Sequence, residues 1–135
     1  MATITEDYVS FEIAKLLKEK GFDEKCLHYY EDNRHRDEGI KLSDWCNIEY
    51  SNSEIGRRFA CPTLQMAMKW LREIYNIAIV IEPHKYDYIN EKNSSYIASL
   101  WQGDNYYENI TSKDYPTYEE TADAAIKYCL ENLIK

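Results

Sequence analysis

Glycine is scarce in this chain. Gly21, Gly39, Gly56 and Gly103 are the only four in 135 residues, and they form neither G-x-G-x-x-G nor G-x-x-x-x-G-K. The glycine-rich cradles that wrap phosphates at a helix start are therefore excluded. Basic charge is short as well: 16 Lys and Arg stand against 24 Asp and Glu, for a net charge of −8. The deficit is even. Residues 1–68 carry 9 basic and 13 acidic side chains, residues 69–135 carry 7 and 11, and no basic half or tail is hidden under the average. A chain that displaces counterions from a phosphate backbone needs the opposite balance, so no long nucleic acid is expected as a partner. Long apolar runs are missing too; none approaches the roughly 20 residues of a membrane span. The first residues, MATITEDYVSFE, have acids where a signal peptide has Lys or Arg. The expectation is a cytoplasmic protein that meets no membrane.

The four cysteines, Cys26, Cys46, Cys61 and Cys129, then fall in a reducing compartment and are expected as thiols. C-x-x-C and H-E-x-x-H are both absent. Cys26-x-His28 puts two ligand types on one strand face, but His35, Cys46, Cys61, His84 and Cys129 offer no paired spacing to complete a site. No metal and no cofactor is expected. Nor does the spacing set a Cys or Ser beside a base, and the plentiful carboxylates follow no pattern. The expectation is a protein that is not an enzyme.

What the sequence does hold is a clear order of elements. Ser10 caps a helix over 10–20, with Ile13, Leu16 and Leu17 on one face. Gly21 stops it, and Phe22 stands where a Schellman motif sets an apolar residue against Leu17. CLHYY (26–30) suits a strand, and EDNRHRDEG reads as a charged loop. Residues 31–60 read either as two short strands or as a long functional loop. A second helix starts at Pro62 or Thr63 and repeats apolar residues through Tyr75, with Asn76 as a left-handed stop. Met66 and Trp70 stand one turn apart on a second stripe, which packs on another helix or meets a partner. IAIVI (77–81) reads as a strand covered on both faces, or nearly so. Three alternating segments then follow, HKYDYI, SYIASLW and YYENIT, separated by turn residues. Thr117-x-x-Glu120 is a capping box that opens the last helix, with Ala122, Ala125, Ile126, Cys129 and Leu130 on its buried stripe.

The order α-β-(β)-α-β-β-β-α predicts one α+β domain over residues 1–135. About three helices would pack on one face of an antiparallel sheet of roughly four to five strands. The other face is left to solvent, a partner or a second copy of the chain, so a homodimer is a candidate.

Thirteen tyrosines are the unusual feature. Tyr86, Tyr88, Tyr96, Tyr106 and Tyr107 fall in the three alternating segments, with Trp101 among them. Strand preference alone accounts for such a cluster. Exposed together, the same rings would anchor a protein, a basic peptide or a nucleobase, because tyrosine gives wide contact at low entropy cost. Arg57 and Arg58, beside Gly56, are the one compact basic spot. They lie in a loop leading to the second helix, where a solvated loop is the plain reading and an anion site the sharper one.

Three blocks carry a resemblance: YVSFEIAKLLKEKGFDEKC (8–26), PTLQMAMKWLREIYNIAIVI (62–81) and TYEETADAAIKYCLENLI (117–134). They resemble small uncharacterised proteins of gut Bacteroidales that are carried by phages, prophages and other mobile elements. The blocks cover about two-fifths of the chain. The resemblance implies an accessory mobile-element protein and supplies no activity, no catalytic residues and no ligand. The last block is also similar to the C-terminal helix of HicB-like antitoxin domains, which implies a regulatory module. Together these readings lead to two expectations. The first is an accessory protein that binds a host protein, such as a defence or regulatory factor. The second is a binder of a nucleotide-like small ligand held between the aromatic side chains and the Arg57/Arg58 loop.

Overall fold

Ser10 opens the first helix, α1 (Phe11–Glu19), by accepting a hydrogen bond from the Ile13 N–H at 3.4 Å. This is a computed structural model, and it describes residues 7–44, 48–84, 95–111 and 114–134. The stop of α1 is the Schellman motif read from the sequence. Gly21 sits at φ 91°, its N–H donates to Lys18, and the Phe22 N–H donates to the Leu17 carbonyl at 2.9 Å. Phe22 and Leu17 are both buried. The chain divides into two compact units, Met1–Met66 and Ala67–Lys135.

The first unit holds a three-stranded antiparallel sheet in the order β2-β1-β3, with β1 at His28–Asn33, β2 at Gly39–Asp44 and β3 at Phe59–Cys61. The strand expected at 26–30 thus starts two residues later and runs three further. Glu31 and Asp32 can stand in a central strand because each carboxylate has an arginine: Arg58 Nε meets Glu31 at 2.6 Å, and Arg34 meets Asp32 at 2.7 Å. The loop shrinks to a tight connection, turned by Asp37 at φ 59° and Gly39 at φ 75°. Of the two readings for residues 31–60, the short strands β2 and β3 are correct. Phe11 of α1 meets Tyr30 and Phe59 edge-on at 5.7 and 5.4 Å, which places α1 on the face shared by β1 and β3.

The second helix, α2 (Leu64–Tyr75), begins where Thr63 Oγ1 accepts from the Met66 N–H at 3.1 Å. It ends at Asn76, φ 56°, the left-handed stop. Within the second unit, β4 (Ile77–His84), β5 (Ser95–Gln102) and β6 (Asn105–Tyr107) form a second antiparallel sheet in that order. β4 and β5 pair without a break from Ile77↔Gln102 to His84↔Ser95. The third helix, α3 (Tyr118–Asn132), is capped by Thr117, whose hydroxyl accepts from the Glu120 N–H at 3.1 Å, and it packs on β4 and β5.

The α+β class stands, but the single sheet of four to five strands is two sheets of three. Each sheet is built from neighbours in the sequence, and α2 separates the two sets of strands along the chain. IAIVI is the first strand of the second sheet and is nearly covered on both faces: Ile77 is buried, and Ala78, Ile79, Val80 and Ile81 are half-buried on alternating sides. Pro83 does not end it. Its partner Tyr96 turns its own N–H and carbonyl the other way, to Tyr115, so the ladder asks no donor of the proline. The expected YYENIT strand stops at Tyr107 because Asn109 takes φ 49° and bends the chain. Most of HKYDYI lies outside the described residues.

Candidate functional site

Strand geometry separates the aromatic residues that the sequence groups together. Tyr96, Ala98 and Leu100 alternate onto one face of β5, and Ile97, Ser99 and Trp101 onto the other. Tyr96 meets Tyr118 of α3 edge-on, centroids 6.3 Å apart, and Ala98 and Leu100 are fully buried, so this is the helix-covered face. Tyr107 lies opposite Leu100 and shares that face, at its rim. Trp101 lies opposite Tyr106 on the other face, which is open at this end although Ser99 further along it is buried, with ring centroids 4.9 Å apart and an interplanar angle of 44°. Both rings are exposed, Trp101 at 46% and Tyr106 at 50%. The β5–β6 connection is a two-residue loop, Gly103-Asp104, with Gly103 at φ 60°. A glycine in the first loop position matches the right-handed strand twist and fixes this pairing. Tyr86 and Tyr88 lie outside the described residues. Of the six aromatic residues proposed from the sequence, Trp101 and Tyr106 are brought together on the open face.

The Arg57/Arg58 loop is built differently from the expectation. It leads into β3, and the strand separates it from the start of α2, so the arginines do not border that helix N-terminus. Arg58 is engaged by Glu31 and stacks over Tyr29 at 5.5 Å, while Arg57 is exposed. Lys18 of α1 holds the loop from below by donating to the carbonyls of Gly56 and Arg58. The hollow beside the loop is lined by carboxylates as well as arginines: Glu31, Asp32 and Glu38 with Arg36, Arg57 and Arg58. Hydrogen bonds from Arg34 pull the Asp32 carboxyl down to about 2, so it stays ionised and opposes an incoming anion.

A second concave surface, of about 180 Å³, was not visible in the sequence. Its lining includes Tyr8, Cys26, His28, Cys61, Pro62 and Met66. Tyr8 and His28 stack with centroids 4.3 Å apart as one wall. Cys61 lies opposite His28 in the β1–β3 ladder, and a bridge between Cys26 and Tyr50 holds the approach to β1. The signal was there in part, in Cys26-x-His28 on one strand face, but β3 was needed to bring Cys61 and Met66 alongside. Met66 is 39% exposed at this surface, whereas Trp70, one turn on, is buried and meets Tyr75 edge-on at 5.2 Å. Burial pushes the Cys26 thiol up to about 12, with Cys61, Glu49 and Glu24 adding to the shift. Such a thiol is protonated at neutral pH and a poor nucleophile. Among the described residues, no three His, Cys, Asp or Glu side chains converge as a metal ion requires. No described helix is long and apolar enough to cross a membrane.

No family model, no curated protein and no solved structure matches this chain.

Proposed function

We propose that this chain is a non-enzymatic accessory protein of phage or mobile-element origin that acts by binding a host protein. The observation that carries the reading is the Trp101–Tyr106 pair: two large rings in contact with each other, both about half exposed, on the sheet face opposite α3. Tryptophan and tyrosine are the side chains that most often anchor protein interfaces, because they offer large, stiff contact area. The pair sits on a short, glycine-turned hairpin, so little order is lost when a partner closes over it. The mobile-element origin rests on the three sequence blocks.

The test is affinity capture from Bacteroidales lysate with the intact chain and with a Trp101→Ala/Tyr106→Ala variant of matched melting temperature. The reading expects at least one protein to be enriched on the intact chain by about tenfold over the variant, the size of an anchor-residue effect. An identical set of captured proteins removes it.

A second reading, small-ligand binding, is favoured by the Tyr8/His28-walled cleft of the first unit. Its largely apolar lining and its volume fit a small flat molecule rather than a nucleotide with its phosphates. Thermal-shift screening separates the two readings. One compound that raises the melting temperature of the intact chain and not of a Tyr8→Ala variant supports the cleft.

A further inference from the structure

The open face of the second sheet differs from the aromatic surfaces of the first unit in one respect. In the first unit three rings carry their own cations: Lys18 lies over Phe59 at 5.2 Å, Arg34 over Phe11 at 6.0 Å and Arg58 over Tyr29 at 5.5 Å. In the second unit β4, β5 and β6 contain no Lys and no Arg. The charged residues that the described strands and their hairpin place near Trp101 and Tyr106 are acids. Asp104 is in the hairpin loop, Glu108 follows Tyr106 by two residues, and Glu82 stands on the same open face opposite Ile97. All three carboxylates are exposed.

We propose that the Trp101–Tyr106 face receives an arginine-bearing basic segment of a partner protein. This rests on the binding reading given above and specifies the partner's chemistry. A guanidinium is planar and weakly hydrated, so it stacks flat on an indole or phenol face while its edge donates to carboxylates. Asp104 and Glu108 flank the rings and supply acceptors at one end, and Glu82 supplies one further along the face. The net charge of −8 draws a basic partner in before contact. The carboxylates act over a Debye length of about 8 Å at physiological salt, which confines the selective part to the hairpin.

The experiment uses the full chain labelled with ¹⁵N. Its three tryptophans each give an indole N–H signal, and Trp101→Phe assigns the one from Trp101. The probe is a peptide alternating glycine and arginine. The control is the same peptide with citrulline, a neutral isostere, in place of arginine. The arginine peptide is expected to move the Trp101 signal and leave that of buried Trp70 in place. The citrulline peptide should bind roughly tenfold more weakly, the loss of a cation–π and carboxylate contact together. Asp104→Asn with Glu108→Gln should weaken the arginine peptide and flatten its salt dependence. An unmoved Trp101 signal, or equal binding of both peptides, overturns the proposal; equal binding shows that the face does not read the guanidinium charge. If the peptides fail while a Trp101-dependent partner is still captured from lysate, the basic segment falls and the binding reading stands. If neither occurs, both fall.

Discussion

The side-chain amide of Asn52 donates to the backbone carbonyl of Phe22 at 2.8 Å, and both residues are buried. The oxygen of the same amide accepts from the Ala60 N–H at 2.9 Å. One side chain thus ties the end of the α1 stop to β3 and satisfies two backbone groups that no ladder reaches. Removing it deletes both hydrogen bonds at a buried position. Asn52→Ala should destabilise the protein by about 1–3 kcal/mol, the sum of two modest hydrogen bonds. Urea unfolding followed by circular dichroism measures this. Asn52→Asp should do nearly as badly, because a carboxylate cannot donate to Phe22.

Gly21 is a test of backbone conformation alone. A Cβ built on it meets nothing within 4 Å, yet the residue sits at φ 91°. Gly21→Ala should therefore cost about 1 kcal/mol through strain, with no clash to relieve. Gly21→Asn should cost less than Gly21→Val, since asparagine tolerates the left-handed region and a β-branched residue does not. Thermal melts of the three variants set the order.

Alkali should loosen the protein through its buried thiols. Burial pushes Cys129, on the inner stripe of α3, up to about 12. An unfolded cysteine titrates near 8.5, so between about pH 8.5 and 12 the unfolded chain holds fewer protons than the folded one. Stability is then fully present below the unfolded value and falls as pH rises toward the folded one. Cys129→Ala removes this contribution. Its stability curve from pH 8 to 10 should be flatter than that of the unaltered chain, measured by urea midpoints, although its midpoint at pH 7 is lower.

Much of this fold was legible because local chemistry decides it. Ser10, Gly21 with Phe22, Thr63, Asn76 and Thr117 each mark a helix end by a hydrogen bond or a dihedral that involves only near neighbours. Strand partners were less visible, since pairing is a long-range choice. β1 was placed short because Glu31 and Asp32 look like loop residues until Arg58 and Arg34 are found beside them. The one expected sheet became two because nothing in the periodicity of β3 or β4 says which strands they join. The aromatic cluster failed as a group for another reason. Alternation along β5 sends Tyr96 and Trp101 to opposite faces, and the partner Tyr106 depends on the register that Gly103 sets. The cleft walled by Tyr8 and His28 needed four segments far apart in sequence.

The Trp101–Tyr106 pair should matter little to stability. Both rings are about half exposed, and a cross-strand aromatic pair contributes on the order of 0.5–1 kcal/mol. Trp101→Ala and Tyr106→Ala should each shift the folding free energy by no more than about 1 kcal/mol, whereas Leu100→Ala, fully buried on the opposite face, should cost about 2–5 kcal/mol. Chemical denaturation of the three variants separates a recognition surface from a core.

The central claim is that the open face around Trp101 and Tyr106 is where another protein binds, and site-specific photo-crosslinking tests it most directly. A benzophenone amino acid is placed at Tyr106, and in parallel at exposed Glu131 on α3, and each chain is irradiated in Bacteroidales cells. The account predicts a discrete crosslinked product from position 106 that is absent from position 131 and lost when Trp101 is also changed to Ala. No product at 106, or the same product from both positions, would contradict it.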